Sequence, residues 1–190
     1  MEWIFMAIRT VLRMGHPILR QSAKEVKKEE LQDEQFKSLT LDLIETMRAY
    51  RGIGIAAPQI GHSIQMCIIE IPKENKRYQE ACATPLQIII NPKISILDPT
   101  LQGIWEGCLS VPGLRGLVER PRKIQVDYMD EFGLQKSIVA EDFLSTVYQH
   151  ELDHLFGKLY IDRLKDPTQF SFEEEYEHYY INQNKPMNLA

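Results

Sequence analysis

The stretch YQHELDHLFG, residues 148–157, places two histidines four positions apart, with a glutamate directly after the first. On a helix, residues four apart lie one above the other, so His150 and His154 can direct their rings at one point while Glu151 projects beside them. Two imidazoles that hold an ion and a carboxylate that accepts a proton from water are the groups that metal-assisted hydrolysis requires. The stretch therefore predicts a central metal-binding helix.

The pattern alone also fits a surface helix with a polar Glu/His face that binds no metal. If the helix does bind a metal, the identity of the third ligand decides the class of enzyme. In one extended metalloprotease pattern the position of the last histidine holds Tyr160, which excludes that class. Glutamates at 173–175 have a spacing compatible with a ligand, although an acidic run is more typical of a solvated surface. The third candidate is Cys108 in the loop WEGCLSVPG, whose thiolate is a soft ligand.

Length and composition limit the class of protein. The 190 residues, 44% hydrophobic and 26% charged, are typical of one globular domain, which we expect to span residues 1–190. A formal net charge of -5 argues against a specific nucleic-acid site or an anionic membrane as the main partner, and no apolar run reaches the roughly 18 residues of a membrane span. Three cysteines without CxxC spacing favour a reducing compartment, here the cytoplasm.

The order of predicted elements favours the α+β class, as a single compact domain with mixed or antiparallel sheets around the histidine helix. Apolar residues at three- and four-residue steps predict an amphipathic helix over 30–51, ended by Gly52. A second helix is predicted over 141–156, with Gly157 as its stop. Segments rich in isoleucine or β-branched residues predict strands over 64–71, 86–91, 123–129 and 134–140, the last two joined by a turn at 130–133.

The two ends of the chain carry separate expectations. Residues 1–5 precede a second methionine, Met6, and are expected to be an extension without chemistry. Residues 165–190 form a tail that is expected to be helical in part, because four of its aromatic residues have helical spacing. These residues are Phe172, Tyr176, Tyr179 and Tyr180. The tail is expected to pack on the domain or on a second subunit, so that a monomer and a homodimer both remain open.

Three stretches occur together: GIGIAAPQIG at 52–61, EGCLSVPG at 106–113 and QHELDH at 149–154. In this order and at this spacing they resemble the three signature motifs of the peptide deformylases. The similarity extends from LRMGHPILR near the start to LYIDRL at 159–164, whereas the tail is not part of the family pattern. The resemblance implies a metal-dependent hydrolase that removes the N-formyl group from the formyl-methionine of nascent peptides near the ribosomal exit tunnel, releasing formate.

The resemblance also implies a role for each matched residue. The implied metal ligands are Cys108, His150 and His154. Glu151 would be the general acid/base for a water or hydroxide at the open metal position. The Gln59 amide and the backbone N–H of Leu109 would stabilise the negative oxygen of the tetrahedral intermediate. Two histidines and a cysteine fit zinc by ligand type, whereas the family favours Fe²⁺ in the cell, with Zn²⁺, Ni²⁺ or Co²⁺ as replacements.

Substrate contacts are expected on both sides of this site. Gly52 and Gly54 allow close approach of a peptide, so 53–55 is expected to pair with the substrate as an added strand. Side chains from the helix face before His150 are expected to line a methionine pocket, although Phe143 and Val147 also fit a plain core role. Glu106 is expected to support the loop and the substrate backbone instead of binding metal. The implied substrate-binding residues are Ile53, Gly54, Ile55, Glu106, Phe143, Thr146 and Val147, with Leu109 also at the pocket.

Two other functions compete with this one. A zincin-type endopeptidase would use Glu174 or a neighbour as its third ligand. A non-catalytic binder of nascent chains would have no need of a general base, and the intact set of motif residues argues against it. The sequence departs from many relatives just before the QHE motif. They have a small residue and an arginine where this chain has Ser145 and Thr146, which concerns the shape of the methionine pocket.

Overall fold

A computed structural model of the chain describes residues 7–73 and 83–181. The predicted extension over 1–5 and the end of the tail, 182–190, lie outside the described residues. None of the helices in the described ranges combines the length and the apolar character that a membrane span needs.

Within the described ranges, six strands form one antiparallel sheet. They are β1 Gly54–Ala56, β2 Met66–Ile71, β3 Thr84–Cys108, β4 Val111–Met129, β5 Gln135–Glu141 and β6 Phe170–Phe172. Their order is β1-β2-β3-β4-β5, and β6 pairs with β4. Every pair of these strands is antiparallel, so the predicted α+β class is confirmed.

Two strands are much longer than their sequence pattern predicts. The predicted strand at 86–91 is only one part of β3, which continues through Pro92 and Pro99. The register of β3 against β4 shifts at both prolines. A proline at a bulge has no ladder hydrogen bond to lose, so the strand bends there and does not end. The result is a long bent hairpin whose tip, the Cys108–Val111 pair, reaches the predicted metal helix.

The sheet lies between two helices, α1 Glu34–Ala49 and α2 Asp142–Leu155. Strand β2 is buried on both faces: Met66 and Ile68 belong to the core under α1, whereas Cys67 and Ile69 belong to the core under α2. Successive side chains of a strand point to opposite faces, which explains why β2 has a continuous apolar run instead of an alternating one.

The helix ends follow the prediction at one helix better than at the other. Helix α2 agrees with the predicted 141–156 to within one residue at each end, and Gly157 has the left-handed φ of 70° expected of a helix stop. Helix α1 is shorter than the predicted 30–51, because Lys28–Gln32 forms a separate 3-10 turn. The helix ends at Ala49, before the predicted stop at Gly52, and the residue with a left-handed φ, of 55°, is Arg51.

The described part of the tail packs on the domain. Strand β6 pairs with the Leu114–Gly116 segment of β4, and the chain then turns through the short helix α3, Glu173–Tyr176, and a π-helical turn, Glu177–Ile181. The Trp105 ring centroid lies 4.8 Å from that of Tyr176 and 4.7 Å from that of Tyr180. Of the four aromatic residues in the predicted tail helix, Phe172, Tyr179 and Tyr180 are exposed and Tyr176 is partly buried. In the tail as far as residue 181, the helical structure consists of short turns.

Candidate active site

Three potential metal ligands meet where the β3–β4 hairpin touches α2. The ligand atoms of Cys108, His150 and His154 all lie within 4.8 Å of one another. Within residues 7–73 and 83–181 this is the one cluster of three or more such side chains. The cluster includes Cys108 and none of the glutamates at 173–175, of which Glu173 instead forms an ion pair with Arg115. The geometry thus favours Cys108 among the three candidate ligands.

The surroundings of Cys108 favour the thiolate form of its side chain. Burial alone would raise the pKa of its thiol, but the neighbouring rings of His154 and His150 outweigh burial and lower this pKa to about 5. The Sγ atom lies 3.3 Å from Nε2 of His154 and accepts from the Ser110 backbone N–H at 3.4 Å. The thiolate is the form of cysteine that binds metals.

His150 is oriented by a buried carboxylate. Its Nδ1 lies 2.7 Å from Oε2 of Glu106, which leaves Nε2 as the ring atom that could bind a metal ion. Burial alone would raise the pKa of Glu106, but hydrogen bonds and charges from His150 and Arg120 lower it below its ordinary value. Glu106 is therefore ionised and orients one histidine of the cluster, and its expected role in supporting the loop and the substrate backbone stays a prediction.

Arg120 connects the hairpin to α2 inside the protein. Its side chain is 2% exposed, and its Nε and Nη2 atoms lie 2.6 and 3.0 Å from the two oxygens of Glu106. Its Nη1 donates to Asp153 Oδ2 at 2.8 Å, and Arg163 Nε donates to the same oxygen at 3.0 Å. Sequence reasoning missed this network, although the acid between the two histidines, Asp153, was a visible signal.

Arg120→Met should destabilise the fold by about 3–5 kcal/mol, because it removes the cation that two buried carboxylates share. Urea unfolding of the metal-free protein measures the change. The matched control is Arg122→Met on the same strand, whose side chain is 48% exposed and which should change stability by less than about 0.5 kcal/mol. Equal shifts for the two variants would contradict this reading of the network.

Glu151 is a buried carboxylate with an unused oxygen. Its side chain lies against Gly54, so closely that a Cβ added at Gly54 would be 2.4 Å from Oε1. Within the described residues, Oε2 has no hydrogen-bond partner. Burial raises the pKa of Glu151, and the opposing effect of His150 and His154 is smaller. A raised pKa and a free oxygen are the properties of a proton acceptor that also returns the proton.

Gln59 has a fixed amide orientation. Its Oε1 accepts from the Ala56 backbone N–H at 2.8 Å, so the NH₂ group must point the other way. Its Nε2 lies 3.1 Å from Oγ of Ser110 and 3.6 Å from Sγ of Cys108. The amide donors therefore point toward Cys108 and the cluster of candidate ligands.

A cavity of about 330 Å³ opens beside these groups. Most of the predicted site residues line it, namely Ile53, Gly54, Gln59, Glu106, Cys108, Leu109, Phe143, Thr146, Val147, His150 and Glu151. His154 is 1% exposed and lies beneath the wall, in contact with Cys108. Ile55 does not line the cavity: its side chain is fully buried in the core under α1, because alternate residues of β1 point to opposite faces.

The cavity wall also contains residues that sequence reasoning did not select. Trp105 and Arg115 come from the hairpin, and Glu173 comes from the tail. Trp105 and Arg115 have no motif spacing that would mark them. Glu173 was considered only as a metal ligand, because its place in this wall depends on how the tail folds back.

A helix that supplies two histidines and a glutamate, with a thiolate from a neighbouring hairpin, defines a metal-dependent hydrolase. The family model described as polypeptide deformylase matches residues 8–170. A peptide deformylase of Leptospira biflexa serovar Patoc is 46% identical over 170 residues, which cover 90% of this chain and 95% of the relative. A second relative, peptide deformylase 1 of Prochlorococcus marinus, is 42% identical over 172 residues, covering 90% and 88%.

Solved structures agree with this assignment. The Met-Ala-Ser-bound class I type b peptide deformylase from Acinetobacter baumannii has a TM-score of 0.80 and 34% identity, covering 84% of this chain and 100% of that one. The peptide deformylase from Synechococcus elongatus in complex with actinonin has a TM-score of 0.74 and 36% identity, covering 84% and 82%. The chain belongs to the polypeptide deformylase family, which confirms the resemblance of its three motifs. It is a metalloenzyme that removes the formyl group from formyl-methionyl peptides.

Proposed function

We propose that Glu151 is the general acid and base of this deformylation and that Cys108, His150 and His154 hold the metal ion. The observation that carries the proposal is the buried Glu151 carboxylate, whose Oε2 has no partner within the described residues and which lines the same cavity as Cys108 and His150. A carboxylate in that position meets both the water and the departing amine of a formyl group bound beside the ligand cluster.

The donor set fits a divalent ion. A thiolate and two neutral imidazoles bring a single negative charge, and the Glu106 contact fixes the ring of His150. When bound, the ion supplies Lewis acidity to the formyl carbonyl and to a water. These donors accept several first-row metals, so availability decides occupancy. We propose Fe²⁺ as the ion in the cell and Zn²⁺, Ni²⁺ or Co²⁺ as replacements.

Glu151 moves one proton in two steps. It takes a proton from the water as the oxygen attacks the formyl carbon. It then gives this proton to the nitrogen as the C–N bond breaks, so that formate and a free methionine amine leave. The pKa of Glu151, raised by burial, favours this second transfer without preventing the first.

The N–H groups of Gln59 and Leu109 stabilise the negative charge that develops on the formyl oxygen. The Gln59 amide donors point into the cluster, and the backbone N–H of Leu109 lies at the tip of the hairpin beside Cys108. Preorganised N–H donors stabilise a developing oxyanion more than they stabilise the neutral carbonyl. They therefore act on the rate more than on substrate binding.

Gln59→Leu should lower kcat by about 10²–10³-fold with a small change in KM. Leucine is similar in size to glutamine and leaves the pocket in place, but it cannot donate a hydrogen bond to the oxyanion. Formate release under saturating and limiting peptide measures the two constants. The control is Gln125→Leu on β4, whose amide instead contacts Asp127 at 2.9 Å. A fall in metal content or an increase in KM alone would show that Gln59 has another role.

The substrate backbone is proposed to align along β1. Glu70 N–H donates to the Ile53 carbonyl at 2.9 Å, and β1 pairs with β2 in antiparallel register. Backbone polar groups alternate in direction along a strand, so the N–H and C=O of Gly54 point away from β2 and are available to a peptide. Phe143, Thr146 and Val147 form the α2 side of the cavity, where we place the methionine side chain.

Gly54→Ala should lower kcat/KM by about a hundredfold or more while metal binding is retained, since the new methyl group would displace the Glu151 carboxylate. Formate release and metal analysis on the same preparation measure both quantities. Gly103→Ala is the matched control, because a Cβ there would lie 3.4 Å from Leu117 Cδ1 in ordinary contact. Full activity in Gly54→Ala would mean that Glu151 is not confined as described.

The proposed function is tested by formate release from formyl-Met-Ala-Ser with protein prepared without oxygen and loaded with iron. We expect stoichiometric formate and Met-Ala-Ser. The same protein should not cleave an internal bond of an N-acetylated peptide, which a zincin-type endopeptidase would do. If the metal-loaded protein released no formate, the proposal would be abandoned.

A further inference from the structure

The C-terminal tail forms part of the cavity wall through a residue that lies beyond the family-model match. The match ends at residue 170, whereas Glu173 lines the same cavity as Glu151 and Cys108. Strand β6 places Ser171 opposite Arg115 on β4, so α3 begins directly beside the hairpin tip. Contacts of Trp105 with Tyr176 and Tyr180 hold the turns that follow.

Arg115 is a nearly buried cation in this wall. Its side chain is 7% exposed, and a Cβ added at Gly107 would lie only 2.3 Å from its Nη1, so the guanidinium covers the backbone of the cysteine motif. Its Nη2 and Nε atoms lie 2.5 and 3.2 Å from Oε1 of Glu173. A peptide in the cavity therefore meets the Arg115 charge together with the tail carboxylate that neutralises it.

The surroundings of this pair are acidic. Glu174, Glu175 and Glu177 follow on the same short turns and are exposed, and they line a depression next to Gly113 at the hairpin. Since Arg115 and Glu173 cancel in charge, these glutamates give this side of the cavity mouth a negative potential. Arg13 and Arg51 also line the cavity, but both are exposed. Both are present in all the variants that test the proposal, so they do not affect the difference between them.

We propose that Glu173 is a specificity-determining residue: by neutralising Arg115 it makes the enzyme favour formyl-methionyl peptides whose next residues are basic over those whose next residues are acidic. This inference rests on the proposed function and extends it to the residues after methionine. Without the Glu173 carboxylate, the buried Arg115 charge would face the cavity uncompensated and attract acidic side chains.

The test compares Glu173→Gln with Glu174→Gln in the full-length, metal-loaded enzyme. Both variants lose one formal negative charge from α3, but Glu174 is exposed and Glu173 is the residue that contacts Arg115. The quantity measured is the ratio of kcat/KM for formyl-Met-Asp-Asp-amide to that for formyl-Met-Lys-Lys-amide. We expect Glu173→Gln to raise this ratio about three- to tenfold and Glu174→Gln to change it less than about twofold, because a charge in the cavity wall is screened less than an exposed one.

A second measurement separates this inference from the proposed function. Calorimetry of the unformylated peptides Met-Asp-Asp-amide and Met-Lys-Lys-amide on the metal-loaded proteins reports charge preference without turnover. If no peptide released formate, the deformylation mechanism would fail while the binding ratio still tested Glu173. An unchanged ratio in Glu173→Gln, or an equal rise in Glu174→Gln, would overturn the inference. A lower unfolding temperature with an unchanged ratio would assign the ion pair a purely structural role.

Discussion

Glu151→Gln should bind its metal ion as the parent chain does and release formate at least about a thousandfold more slowly. General acid–base catalysis contributes typically 10²–10⁴-fold, and here one carboxylate performs both proton transfers, which places the loss toward the upper end of that range. Glutamine has the same shape as glutamate, so it fits against Gly54 without moving α2. It cannot accept a proton from water at neutral pH.

Metal analysis and single-turnover formate release on the same iron-loaded preparations measure the two properties. Glu119→Gln serves as the control, because that carboxylate is 46% exposed on β4 and pairs with Lys165. Metal retained with activity lost would assign Glu151 to proton transfer. Loss of both would show that the substitution acts through the ligand cluster, and activity within tenfold of the parent would exclude Glu151 as the base.

The buried position of the Glu151 carboxylate supports its assignment to proton transfer. The folded chain buries a carboxylate whose pKa is raised by burial and whose Oε2 has no partner among the described residues. An unsatisfied buried oxygen costs free energy of folding, of the order of 1–3 kcal/mol or more for a charged group. A fold tolerates such a group where its function requires it, as at a site that must exchange a proton with a substrate.

Local sequence patterns predicted the parts of the fold that depend on local periodicity. The bounds of α2 follow from its apolar spacing and from Gly157, and the acidic turn before β5 follows from Asp130 and Gly133, where Asp130 Oδ1 accepts two backbone N–H groups. The length of β3 was missed because Pro92 and Pro99 normally end a strand, and only the facing strand shows that they lie at bulges.

In the candidate site, too, local patterns predicted the residues of one helix but not the contacts between separate elements. His150, Glu151 and His154 lie on one turn of helix, so their spacing alone places them together. Cys108 comes from a hairpin tip, and spacing alone left it as one of three candidates. The partners that orient these groups, Glu106 and Arg120, are distant in sequence from α2, and no local pattern predicts an ion pair between separate elements. Whether Ile55 points to the cavity or to the core depends on which face of β1 is covered by α1, and the local sequence does not determine that.

Cys108→Ala should lower metal affinity by more than about a hundredfold and abolish formate release. Loss of an outer-shell partner already costs 10–100-fold, and Cys108 supplies the only negative charge among the three clustered ligands. Added Zn²⁺ should raise the unfolding temperature of the parent chain and leave that of the variant nearly unchanged, because a ligand stabilises only the state that binds it.

Cys67→Ala is the matched control for that experiment. Cys67 is fully buried in the core under α2, where burial raises the pKa of its thiol, so the neutral side chain behaves as a small apolar residue. Its loss should lower stability through a small cavity and leave metal binding unchanged. If Cys108→Ala kept its metal and its activity, the third ligand would have to come from elsewhere and the zincin-type alternative would return. Loss in Cys108→Ala alone assigns the thiolate at the hairpin tip to the metal.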